Sequence, residues 1–107
     1  VRHELTLVAA GDFRKESGMQ DFVATAPLNL VYVSDFAKFD MLKSREEKVW
    51  MASLDAGHCS QNVYLYGAAA GLGAVVRASI DRAKMASRLK LSNSQEVVLA
   101  QTVGYPK

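Results

Sequence analysis

The chain has 107 residues, half of them hydrophobic and 22% charged, and its 13 Lys+Arg against 11 Asp+Glu leave a formal charge of +2. That length holds one domain with a modest core; the scattered charges form no basic face for nucleic acid, and no apolar run reaches the roughly 20 residues of a membrane span. The single cysteine, Cys59, excludes an internal disulfide, so nothing calls for an oxidising compartment and a cytoplasmic protein is expected.

The chain opens on Val1 with no signal-peptide pattern, which reads as a processed or truncated start. Residues 4–10 (Glu-Leu-Thr-Leu-Val-Ala-Ala) alternate well enough to predict an edge strand, closed by Gly11-Asp12. Residues 11–21 read as a loop or short helical turn. Pro27 then stands at the start of Leu28–Ser34, a β-branched and aromatic run that predicts a buried strand, and Ser34 or Asp35 suits the cap of a short turn. Ser44-Arg-Glu-Glu47 is a capping box. With no proline until Pro106, it predicts one long helix from about Arg45 to Ala70, stopped by Gly71. A short strand over Gly73–Ser79 follows, then a helix over Arg82–Leu89 capped by Ser79 or Asp81, with Lys84, Arg88 and Lys90 towards its negative end. A last strand over Glu96–Val103 stops at Gly104-Tyr-Pro. The expected order is β-β-α-β-α-β, an α+β layout.

Three features invite chemistry. His58 and Cys59 are neighbours, but adjacent helical residues point about 100° apart and cannot share a proton or grip one metal. Asp55 or Asn62 could pair with His58, yet no recognised metal set results, so Cys59 reads as a small buried apolar residue and His58 as a partly exposed or interface residue. Gly71-Leu-Gly73 hints at a dinucleotide loop, but that motif follows a strand and opens a helix. Here the polarity is reversed, and the glycines read as a helix stop and a sharp turn. Arg77-Ala78-Ser79, leading to a helix start at Asp81, sets backbone N–H groups beside a cation. This corner suits an anionic or electron-rich ligand, and reads equally as a strand end with a solvated arginine.

The long helix is unusual in itself. Ala52, Ser53, Ala56, Gly57 and Ser60 recur at spacings of three and four, and interior glycines at 57 and 67 each cost roughly 1 kcal/mol relative to alanine. Close approach of a second backbone would compensate, so the helix is either central in its own domain or packed on a symmetry mate. Trp50, Leu54, Val63, Tyr64, Leu65 and Tyr66 spread apolar surface over more than one side. That is more than 107 residues can readily bury, and a missing partner surface is expected.

Taken together, "APLNLVYVSD" (26–35), "DAGHCSQNVYLYGAAAGLGAVVR" (55–77) and "LAQTVGYPK" (99–107) resemble the C-terminal half of the FMN-dependent nitroreductase-like flavoproteins. The likeness runs from about Gln20 onward. "GMQDFVATAP" and Arg-Ala-Ser-Ile-Asp place it nearer the subgroup that includes peptide-azoline oxidases. The resemblance implies a nitroreductase-like sheet with one long central helix and an obligate homodimer with FMN at its interface. It also implies that Val76, Arg77, Ala78 and Ser79 present backbone N–H groups to the flavin near N5 and O4, and that Lys107 meets the FMN phosphate. Such contacts would tune a cofactor that does the chemistry itself. The family's Arg-rich opening segment has no counterpart in residues 1–44. Residues 1–107 are therefore expected to be the C-terminal portion of an FMN domain, completed by an N-terminal half and by dimerisation. The implied activity is hydride transfer from NAD(P)H through FMN to an organic acceptor. The rival reading is a non-catalytic half-domain that dimerises through the long helix without flavin; thiol or metal chemistry at His58 and Cys59 is a third.

Overall fold

A computed structural model describes residues 2–107. Pro27 lacks an amide hydrogen, so the first ladder begins just after it: strand β1 spans Leu28–Asp35. Asp35 then caps a 3-10 turn over Phe36–Lys38, its carboxylate accepting from the Ala37 amide. Helix α1 spans Arg45–Ala70, as its local signals require. Ser44 Oγ accepts from the Glu47 amide at 3.1 Å, and Glu47 Oε2 accepts from the Ser44 amide at 3.0 Å. At the far end Gly71 takes φ +70°, the left-handed conformation that favours glycine, and Leu72 N–H returns to the Gly67 carbonyl at 2.8 Å. Strand β2 is Gly73–Arg77, helix α2 is Arg82–Arg88 with Asp81 as its cap, and strand β3 is Gln95–Gly104.

The sheet order is β1-β3-β2 with both pairings antiparallel, so the longest strand is central. A bulge leaves Val98 without a partner between the Tyr32–Leu99 and Val33–Val97 pairs. This shift of one residue lets Val97 and Ala100 join the same core with Ile80 and Met85, against which Val31, Leu89 and Leu91 pack. Helix α1 lies towards the other face of the sheet, where Gln101 Nε2 donates to the Ser60 carbonyl.

Several expectations are corrected. Residues 4–10 form no strand: Leu5 and Leu7 are exposed, and the segment pairs with neither outer edge of the sheet, β1 or β2. The order is therefore β-α-β-α-β, preceded by 3-10 turns at Arg14–Ser17 and Asp21–Ala24. The small-residue stripe of α1 is split. Ala52, Ala56 and Ser60 are buried, whereas Ser53 is exposed and a Cβ on Gly57 would meet nothing within 4 Å. The second backbone that approaches Gly67 belongs to the same chain: a Cβ there would stand 3.3 Å from the Leu72 carbonyl oxygen. Gly73 makes no sharp turn; it is the first residue of β2, paired with Gly104. Cys59 is exposed rather than buried.

Candidate functional site

Strand β2 is an edge strand, and its outer edge is where backbone donors remain. The Val76 amide donates outward to the Tyr64 hydroxyl of α1 at 2.7 Å. Strand β2 ends at Arg77, and Ala78 and Ser79 continue from it as an irregular segment. Ala78 and Ser79 are exposed, and neither amide has an acceptor among the described residues. The Ser79 carbonyl accepts from the Met19 amide at 3.2 Å and the Ala78 carbonyl from the Ile80 amide at 2.9 Å. The segment is thus held by its carbonyls with two amides free.

Arg77 is not a solvated strand end. It is only 4% exposed, and its guanidinium crosses the sheet on the α2 face. Nε donates to Thr102 Oγ1 at 2.9 Å, Nη1 to the Ser17 carbonyl at 2.7 Å, and Nη2 to Asn29 Oδ1 at 3.1 Å. Thr102 Oγ1 in turn donates to Asn29 Oδ1 at 2.6 Å, and Asn29 Nδ2 donates to the Val23 carbonyl at 2.8 Å. One network therefore ties β2, β3, β1 and the segment ahead of β1. Every acceptor in it is neutral, and burial lowers the Arg77 pKa from its ordinary value. Gly18 makes the room: a Cβ there would lie 1.9 Å from Arg77 Nη1.

Lys107 lies at the opposite end of β2. Gly73 pairs with Gly104, and Lys107 lines a cavity of about 430 Å³ with Phe22, Pro27, Gly73, Val75 and Tyr105. From Gly73 to Ser79 is six residues, about 20 Å at roughly 3.4 Å each. The expected site residues thus fall in two places, Val76–Ser79 at one end and Lys107 at the other.

His58 is exposed and bonds to neither Asp55 nor Asn62. Cys59 lines a separate cavity beside Tyr32 and Asp55. Among the described residues no three His, Cys, Asp or Glu side chains gather as a metal site, and no helix is long and apolar enough to cross a membrane. Sequence reasoning missed Ser17, Gly18, Asn29 and Thr102. Only the alternation of β1 and β3 could have put Asn29 and Thr102 on one face, and nothing local pointed them at Arg77.

A sheet flanked by one long helix and one short one, with free amides at a strand end, defines a class of α+β protein also seen among solved structures. The nitroreductase family matches residues 2–105, and the chain belongs to that family. A protein from Ralstonia eutropha JMP134 described as a nitroreductase shares 38% identity, covering 94% of this chain and 48% of its own, at TM-score 0.85. One from Clostridium acetobutylicum described as an NADH oxidase has 24% identity, 79% and 49% coverage, and TM-score 0.62. A nitroreductase family protein from Clostridium novyi NT has 18% identity, 88% and 54% coverage, and TM-score 0.63. The last two share the fold. The chain spans about half the length of these solved structures. A comparison with curated proteins gave no match.

Proposed function

We propose that residues 1–107 are the C-terminal portion of an FMN-dependent oxidoreductase of nitroreductase type, cytoplasmic and homodimeric through α1. In this reading it passes a hydride equivalent from NAD(P)H to a small organic acceptor in ping-pong fashion. FMN, when bound, supplies the redox chemistry; the chain supplies donors and position. The observation that carries the reading is the exposed Ala78–Ser79 segment, whose two amides have no acceptor among the described residues while its carbonyls are tied down. Two such N–H groups suit a ring edge that gains negative charge on reduction. Val76 has given its own N–H to Tyr64 and Arg77 has turned its side chain inward, so both act behind the contact. Lys107 is assigned to the phosphate.

In this reading the chain stands nearer the subgroup that includes peptide-azoline oxidases. Its two marker stretches, 18–27 and 77–81, meet here through the Met19–Ser79 hydrogen bond. Titration of the chain with FMN, followed by its visible spectrum and fluorescence, tests the reading. A saturable shift is expected, with affinity at least several-fold weaker in Lys107→Met. An unperturbed spectrum would favour the non-catalytic half-domain.

A further inference from the structure

We propose that Arg77 is a positioning residue that makes Ser17–Met19 part of the cofactor site, an inference resting on the reading above. The guanidinium grips the Ser17 carbonyl at 2.7 Å, Gly18 lies flush against it, and Met19 N–H closes on the Ser79 carbonyl at 3.2 Å. Three consecutive residues far from β2 in sequence are thereby clamped to both sides of Ala78. The Ala78 carbonyl, held by Ile80 N–H at 2.9 Å, shares its peptide plane with the Ser79 N–H, and the Met19 bond anchors the next plane along, so the two together hold the segment that carries the Ser79 amide. Arg77 also holds a buried positive charge with neutral acceptors only: the Ser17 carbonyl and Oγ, Thr102 Oγ1 and Asn29 Oδ1. The carboxylates of Asp12 and Glu16 are committed to Arg14 and Arg88. In a medium that screens poorly, the uncompensated charge makes the adjoining strand end favour an anion.

Two consequences separate this role from plain structural support. In Arg77→Met, the Met19 amide should exchange with solvent at least tenfold faster, while Leu30 and Val103 of the β1–β3 ladder keep their protection. The ratio of affinities for reduced and oxidised FMN should fall about tenfold, equivalent to ~30 mV in a two-electron midpoint potential. Arg77→Lys should restore much of that ratio by returning the charge. Where Arg77→Met does not fold, Gly18→Ala displaces the guanidinium instead and should give the same local loss at Met19. Exchange lost evenly over the sheet, or unchanged at Met19, overturns the inference. So does an unchanged ratio for reduced and oxidised FMN. If the wild-type chain binds no FMN while Met19 exchange depends on Arg77, the functional reading and the charge effect fall, and the clamp stands.

Discussion

Lys90 adopts φ 54° directly after α2, and Leu91 N–H returns to the Ala86 carbonyl at 3.0 Å, so a lysine occupies the left-handed stop that suits glycine. A side chain in that conformation costs about 1–2 kcal/mol, and glycine gives back about 0.4–1 kcal/mol through its freer unfolded chain. Lys90→Gly should therefore stabilise the protein by about 0.5–1 kcal/mol, read as a higher urea midpoint at unchanged slope. The only cysteine makes the opposite case. Cys59 was legible as an improbable ligand, since helical neighbours diverge, but its burial was misread because the sequence could not say which face of α1 would meet the sheet. Cys59→Ser should change stability by less than about 0.5 kcal/mol and leave FMN affinity unaltered. A tenfold loss of affinity in that titration would revive a thiol role. Arg77 marks the limit of residue-level reading: an arginine at a strand end is ordinarily solvated, and the space that Gly18, distant in sequence, leaves for its guanidinium is not visible locally.

Among the elements, α1 was the most legible because both of its ends are written locally. The capping box fixes the first turn and Gly71 the last, and neither depends on tertiary context. Ser44→Ala should cost about 1 kcal/mol. Glu47 adds a pH dependence whose sign follows from its partners. Backbone N–H donors from Ser44 and Lys43 lower its pKa below the ordinary 4.5. A depressed carboxylate stabilises the fold above its unfolded pKa, and that contribution is lost as pH falls through the folded value. The difference in Tm between wild type and Glu47→Gln should hence be constant above about pH 5.5 and vanish well below pH 4; a constant difference down to acid pH would assign no role to the carboxylate. The edge strand expected over 4–10 failed for the converse reason. Alternation confers a preference, but a strand forms only by pairing, a non-local event, and the outer edges of β1 and β2 do not take up this segment. Leu5 and Leu7 hold the preference unsatisfied.

At the scale of the whole molecule, one long helix has two unlike faces. Its Ala52, Ala56 and Ser60 side is spent on the chain's own sheet, so the close approach those residues permit is intramolecular. Trp50, Leu54 and Leu65 lie on the other side, at 63%, 41% and 61% exposure, with Gly57 between them. A glycine inside a helix costs roughly 1 kcal/mol relative to alanine, and nothing within 4 Å of its missing Cβ offsets that cost in one copy of the chain. In the proposed homodimer the offset is a second helix lying close at Gly57, flanked by the apolar side chains. The two states then respond to Gly57→Ala with opposite signs. The substitution should stabilise the isolated chain by about 0.5–1 kcal/mol, measured at low protein concentration. It should also weaken self-association, measured by sedimentation across a concentration series, because a methyl group now stands between the helices. A dimer that gains stability from Gly57→Ala would place the interface on another face. A chain that stays monomeric at all concentrations would leave this face to a different partner surface. Concentration-dependent Tm in wild type, lost in Leu54→Asp, would join the two observations, since only association makes the unfolding temperature depend on how much protein is present.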